Sequence, residues 1–279
     1  ADCGVRNAEY KVSNPASDRM TRVRYPKLRH PRSAACKMDD FTLRPAEDLG
    51  LKVWERLSSV RRESGPFLTA VHTGWALLAR TYFSLWHRLQ IVGKENLPTQ
   101  FPFVLCSNHS SHLDALALVA PLRMGLRAKT FALAAGDTFF ESAWTTAFAA
   151  GFINALPIWR KKRTPQALKE LREKLVNTPC GYVVFPEGGR TRDGNLTPFK
   201  GGVGMVVAGT SVPVVPCHIS GTFDAMPAGV KFPLPRRITI RVGPPATFDD
   251  VKNDKHGWNR VMTVVEARVK ALAADAARR

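Results

Sequence analysis

From Phe101 to the end of the chain, short apolar runs alternate with stretches of helical periodicity, and this alternation limits the fold more than any other feature. Strands are predicted at Phe103 to Ser107, Lys129 to Ala134, Ile153 to Ile158, Tyr182 to Phe185, Val212 to Ile219 and Arg237 to Val242. Helices are predicted near 113–123, 138–149, 165–177, 202–209 and 258–276. Thr164-Pro165 is a good start for the third helix, because proline in the first turn needs no amide donor. Strands separated by helices imply an α/β fold, a mostly parallel sheet flanked by helices. That domain is assigned to residues 92–279.

Two segments precede it. Residues 1–45 are rich in Arg, Lys, Pro and Ser, and a run such as Arg22 to Arg32 has too little apolar area to offset its ordering entropy. The segment reads as a disordered basic arm. Residues 46–91 read as an amphipathic helical segment. There Phe67, Val71, Trp75, Leu78, Tyr82, Leu85 and Leu89 recur at steps of three and four and mark one face. With Trp75, Tyr82, Phe83 and Trp86 on or near that face, the helix suits a bilayer interface, and it suits packing on its own domain equally well. No apolar run approaches the ~18 residues of a span, so the expectation is peripheral, monotopic association. The polar run Ala1 to Tyr10 has no signal-peptide pattern. The C-terminal face of Trp258, Val261, Met262, Val265, Val269 and Leu272 is expected to pack on the domain.

The chain of 279 residues has 41 Lys+Arg against 23 Asp+Glu, a net charge of +18, which calls for an anionic partner. Nucleic acid, an acidic membrane surface and a phosphorylated substrate all fit that sign. No basic stretch is interleaved with stacking aromatics and no groove-reading motif occurs, so nucleic acid is set aside. Cys3, Cys36, Cys106, Cys180 and Cys217 are odd in number and scattered, which speaks against a disulfide framework or a zinc site and fits a reducing compartment.

Two loops carry reactive side chains. The first, Asn108-His109-Ser110-Ser111-His112-Leu113-Asp114, follows a predicted strand and leads into a predicted helix. Strand ends of this kind expose functional groups in α/β folds. His109 and Asp114 lie five residues apart, so a turn entering the helix can bring the carboxylate onto the imidazole. Asp114 would then fix the tautomer of His109 as a general base. By spacing alone a structural pair fits as well. A metal held by His109, His112 and Asp114 lacks further ligands to complete its shell, and a serine nucleophile at Ser110 or Ser111 lacks a Gly-x-Ser-x-Gly elbow. The second loop is Pro186-Glu187-Gly188-Gly189-Arg190-Thr191-Arg192-Asp193-Gly194. Its glycines let backbone approach a ligand, Arg190 offers a fork for phosphate, and Glu187 can orient that arginine or a substrate hydroxyl. A tight turn with a solvated ion pair would look the same.

The order of these motifs resembles the glycerophospholipid acyltransferase family, which includes the 1-acylglycerol-3-phosphate acyltransferases, from about Val92 to Gly221. Asn108-His109 through Asp114 is similar to the family's His-x-x-x-x-Asp motif. Asn154-Ala-Leu-Pro-Ile158-Trp159-Arg160 lies where the family has a strand ending in a substrate-binding Arg. Phe185 to Arg190 resembles its Pro-Glu-Gly-Thr-Arg motif, and Phe199-Lys200-Gly201-Gly202 and Val212 to Pro216 resemble the remaining motifs. The resemblance implies His109 as general base, Asp114 as its partner, and Arg160, Glu187, Gly188, Gly189 and Arg190 as the substrate-binding set. Two departures stand out: Gly189 replaces the family's Thr, and Asn154 and Trp159 replace a common Gly and a frequent acidic residue. Both are expected to bear on acceptor recognition.

The implied activity is O-acyl transfer from acyl-CoA or acyl carrier protein to the hydroxyl of 1-acylglycerol 3-phosphate, giving phosphatidic acid in phospholipid biosynthesis. Glycerol 3-phosphate or another lysolipid is the alternative acceptor, and a thioester or ester hydrolase or a non-catalytic lipid-binding protein is the alternative class. No metal and no cofactor is expected beyond the acyl-thioester co-substrate. The expected partners are that donor, the acceptor and a membrane surface, with the active site on its cytoplasmic side. The basic run Arg160-Lys161-Lys162-Arg163 suits lipid headgroups, CoA phosphates or an acidic carrier protein.

Overall fold

Phe103–Ser107 has no charge and nothing but short polar or apolar side chains, and such a strand is stable only when both its faces are covered. In the computed structural model it is buried along its whole length in the middle of a seven-stranded sheet. The structure describes residues 10–12, 21–23, 59, 66–135, 143–158, 164–227, 229–230 and 232–278. The chain divides into two units, 1–45 and 46–279. In the first, β1 (Tyr10–Val12) pairs antiparallel with β2 (Thr21–Val23), and the rest of the predicted arm lies outside the described residues.

The second unit carries β3 (Gln90–Val92), β4 (Phe103–Ser107), β5 (Thr130–Ala135), β6 (Ala155–Ile158), β7 (Gly181–Val184), β8 (Val214–Ser220) and β9 (Thr239–Val242), in the spatial order β3-β9-β8-β4-β7-β5-β6. Strands β4 to β8 run parallel; β9 pairs antiparallel with β8, and β3 lies parallel to β9 at the edge. The mostly parallel sheet is as expected. Edge strand β3 was not predicted, since three residues with exposed ends leave no apolar run.

Alternate side chains of β4 feed two cores, as strand geometry requires. Phe103 and Leu105 pack with Ala79 and Phe83 of α1 (Pro66–Leu85) and with Leu113 and Leu118 of α2 (Leu113–Val119). Val104 and Cys106 face the other way, onto Leu171 and Leu175 of α5 (Thr164–Asn177), Val203 and Val206 of α6 (Gly202–Val207), and Val261 and Val265 of α8 (Lys255–Ala277). Short helices α3 (Met124–Arg127), α4 (Ala143–Phe152) and α7 (Thr222–Ala225) also belong to the unit. Cys106, Cys180 and Cys217 are buried free thiols, and desolvation pushes Cys180 up to about 11 and Cys217 to about 12.

Three expectations shift. The helix predicted over 113–123 divides, because Arg123 is extended and starts α3 afresh. The last helix begins earlier than predicted, where Asp254 caps it by accepting from Gly257 N at 2.8 Å. The buried stripe of α1 is rotated from the predicted face: His72, Ala79 and Phe83 are buried, whereas Val71, Leu78 and Leu85 are 38%, 65% and 76% exposed. Histidine joins the buried side because its ring bonds the Ala150 carbonyl at 3.1 Å.

The helical face predicted at the C-terminus does pack on the domain, and its approach to α6 is close. A Cβ at Gly204 would lie 2.4 Å from the carbonyl oxygen of Trp258. Gly204→Ala must therefore push α6 and α8 apart, at a cost of about 1–3 kcal/mol. A denaturant midpoint unchanged by this substitution would show that the contact is slack.

Candidate active site

The central strand β4 ends at Ser107, and the residues after it are fixed by backbone bonds before any side chain acts. Asn108 continues the ladder with its side chain: Nδ2 donates to Ile219 O at 2.9 Å, and Oδ1 accepts from Ile219 N at 2.8 Å. The amide thus imitates a strand peptide against β8 and sets where the next residue emerges. His109 N donates to Glu187 Oε1 at 2.7 Å, and His109 O accepts from Thr191 N at 2.9 Å. Both polar groups of the His109 backbone are therefore held by the second loop.

Asp114 sits in the first turn of α2, fully buried, and its Oδ2 accepts three bonds: Ser110 N at 2.7 Å, Ser111 N at 2.8 Å and His109 Nδ1 at 2.9 Å. A carboxylate can only accept here, so Nδ1 carries the proton and Nε2 keeps its lone pair. The ring is 21% exposed and stacks on Phe185, centroids 4.1 Å apart at 16°. The five-residue spacing does bring His109 and Asp114 together. Ser110 and Ser111 face inward instead, onto Thr222 Oγ1 at 3.1 Å and Met226 O at 2.8 Å.

In the second loop, Glu187 is almost wholly buried. Its other oxygen, Oε2, accepts from Thr197 N at 3.0 Å and Thr197 Oγ1 at 2.6 Å. Its carboxylate thus clasps the two loops together. Gly188 has φ 75°, a left-handed backbone that favours glycine, whereas a Cβ there would meet only the flexible Lys200 side chain, Nζ at 2.8 Å. At Gly189 a Cβ would meet nothing within 4 Å. Arg190, Lys200, His109 and His112 line the polar end of a cavity of about 420 Å³. Its remaining walls are apolar, with Ala132, Leu133, Ile158, Leu168, Val203 and Val206 among them.

Arg160 and the basic run that follows it lie outside the described residues. Asn154 lies within them, and it corrects the expectation that its departure concerns the acceptor. Its φ of 52° is left-handed, which explains a glycine at this place, and asparagine tolerates it. Its Nδ2 bonds the carbonyls of Ala128 and Thr130 at 3.2 and 2.9 Å, so the residue serves the start of β5.

Sequence reasoning gave no role to Asn108, Thr197, Phe185 or His218. His218 lies on β8, and its Nδ1 is buried with no hydrogen-bond partner among the described residues, as is Asp114 Oδ1. Burial first, then the Arg241 charge, pulls His218 down to about 4 against the upward pull of Asp114. His112 is lowered by desolvation and then by Arg190 and His109, and His87 by desolvation. These rings fold neutral but are free to protonate when unfolded, so the unfolded chain binds more protons below pH ~6.5. Stability is expected to be complete above that pH and to fall as the pH drops towards about 4, the folded value of His218. Denaturant midpoints between pH 7 and pH 4 test this, with a shallower slope in His218→Gln; a flat profile would contradict it.

Comparison with known proteins bears on the same segment. Residues 88–220 match the family described as Acyltransferase. The 1-acyl-sn-glycerol-3-phosphate acyltransferase alpha of Mus musculus is 32% identical over 173 residues, 60% of this chain and 58% of that protein. A chloroplastic 1-acyl-sn-glycerol-3-phosphate acyltransferase of Brassica napus is 35% identical over 147 residues, 52% of this chain and 40% of that one. The chain spans about half the length of these curated relatives. Among solved structures, the 1-acyl-sn-glycerophosphate (LPA) acyltransferase PlsC of Thermotoga maritima superposes with a TM-score of 0.54 at 26% identity, over 74% of this chain and 80% of that one. The segment that carries both loops, residues 88–220, thus matches the Acyltransferase family, and over it the chain is similar to proteins named 1-acyl-sn-glycerol-3-phosphate acyltransferases.

Proposed function

We propose that this chain is an O-acyltransferase that moves a fatty acyl group from a thioester donor to the hydroxyl of 1-acylglycerol 3-phosphate, giving phosphatidic acid. The observation that carries the reading is His109, paired with buried Asp114, in the lining of an apolar cavity that also presents Arg190. The relatives' names supply the acceptor, and the cavity supplies a place for an acyl chain.

The proposed steps use this geometry. Nε2 of His109 takes the proton of the acceptor hydroxyl as its oxygen attacks the thioester carbonyl. Asp114 stabilises the imidazolium through Nδ1. The tetrahedral intermediate then collapses, the C–S bond breaks, and His109 returns the proton to the leaving thiolate. Arg190, and by family resemblance Arg160, holds the acceptor phosphate and so positions the hydroxyl. Glu187 acts at one remove, by fixing the His109 backbone against the loop that bears Arg190. The donor is acyl-CoA or acyl carrier protein; both offer the same thioester.

The proposed workplace is a membrane surface. Among the described residues no helix is long and apolar enough to cross a bilayer. Support comes from the exposed Val71, Leu78 and Leu85 of α1 and from the net charge of +18. In this reading 1–45 is an accessory basic arm, 46–91 the membrane-associating segment and 92–279 the catalytic domain.

Transfer from labelled long-chain acyl-CoA, or acyl carrier protein, to a panel of acceptors tests the function. Labelled phosphatidic acid is expected from the wild type, with a loss of roughly 10²–10⁴-fold in His109→Ala and Asp114→Asn. Free fatty acid without acylated acceptor would make the chain a hydrolase, and near-normal turnover in Asp114→Asn would refute the assigned pair. Gly189→Thr tests the acceptor side. With open space around its Cβ, the threonine should fold normally and lower the KM for a phosphate-bearing acceptor with little change in kcat; a raised KM would contradict phosphate binding at this loop.

A further inference from the structure

We propose that the segment 226–238, between α7 and β9, is a second membrane-contact element that inserts Phe232 and Leu234 into an anionic phospholipid surface beside the active-site loop. The inference rests on the membrane reading above and adds a site to it.

The segment is tied to the protein at both ends. At its start, Met226 O accepts from Ser111 Oγ at 2.8 Å, which joins it to the loop that carries His109. At its finish, Ile238 N donates to His87 O at 3.0 Å, and Gln90 N donates to Ile238 O at 2.9 Å. His87 itself is wholly buried and bonded on both nitrogens: Nδ1 to Arg236 O at 3.0 Å and Nε2 to the Tyr82 hydroxyl at 2.9 Å. A carbonyl can only accept, so Nδ1 donates and neutral Nε2 receives the tyrosine proton. The segment is thus pinned to the C-terminal end of α1, next to Leu85 and Trp86.

Between these anchors the apolar side chains point away from the core. Phe232 is 81% exposed, Leu234 51% and Val230 43%; across the His87 anchor, Leu85 is 76% and Trp86 49% exposed. Scattered exposed apolar residues are ordinary, but five on two elements held to one histidine make a candidate docking face. Exposed Arg88, Arg236 and Arg237 adjoin it. Apolar tips beside arginines match the acyl and headgroup layers of an anionic bilayer. The proximal anchor at Ser111 would bring that surface to the mouth where a lysolipid must enter.

The test is flotation of the full chain with phosphatidylcholine vesicles, with and without phosphatidylglycerol, comparing wild type with Phe232→Ser/Leu234→Ser and with Arg236→Gln/Arg237→Gln. Wild type is expected to float with the anionic vesicles, and each double variant to partition about tenfold less. Circular dichroism and acyl transfer to detergent-dispersed acceptor should stay unchanged in both variants. Equal flotation of wild type and both variants would overturn the second contact while leaving membrane docking through α1 intact. A wild type that floats with neither vesicle would remove the membrane reading and this proposal with it. Acyl transfer in detergent reports separately on the proposed chemistry.

Discussion

Glu187 is a carboxylate withdrawn almost entirely from water, and an unpaired charge in that position would be costly. It is matched by three donors: the His109 amide on Oε1, and the Thr197 amide and hydroxyl on Oε2. Removing the side chain would leave the His109 and Thr197 amides without their acceptor. Asp114 depends on this clasp. Its Oδ2 can collect Ser110 N, Ser111 N and His109 Nδ1 only if the chain after β4 turns sharply, and the His109 peptide is held in that turn from the far side by Glu187 and Thr191. The imidazole is the outcome of a chain of backbone constraints running from β8 through Asn108 to the second loop.

This dependence explains what can be read from sequence. Local signals are sufficient for β4, whose first four residues, Phe103 to Cys106, are an apolar run, and for α5, whose start is marked by Thr164-Pro165. They are sufficient for the His109–Asp114 contact too, since five residues entering a helix close within one turn. They cannot reveal the clasp, because Glu187 engages His109, 78 positions away, nor Asn108, whose partner is 111 positions away. A glycine-rich loop suggests a Glu187 that faces a ligand, whereas its carboxylate faces the protein. The α1 face is misplaced for a different reason. Apolar residues cover more than half of that helix, so periodicity allows several stripes, and the tertiary bond of His72 chooses among them.

The same helix shows why exposure at one end of the fold is a property of the sequence rather than an accident of packing. His72 and His87 are directed inward and hydrogen-bonded, while Leu77, Leu78, Leu85 and Trp86 stay outside. A chain optimised only for its own core would exchange those roles, since burying leucine is favourable and burying imidazole is not. The buried histidines act as hydrogen-bonded pins that hold α1 at a fixed rotation with its leucines outward.

The cavity and the His/Asp pair are connected by the same logic of position. Alternation along the strands sends Val104, Tyr182 and Val184 to the cavity side, and the loops that follow β4 and β7 deliver His109 and Arg190 to its rim. An apolar wall beside an imidazole excludes competing water and strengthens each charge interaction at the mouth. In the proposed reaction, a thioester whose chain lay along that wall would present its carbonyl to Nε2 and to the hydroxyl of an acceptor whose phosphate Arg190 holds. Parallel β4 and β7 are neighbours in the sheet, so imidazole and guanidinium reach the same cavity from adjacent strand ends without any long-range adjustment of the fold.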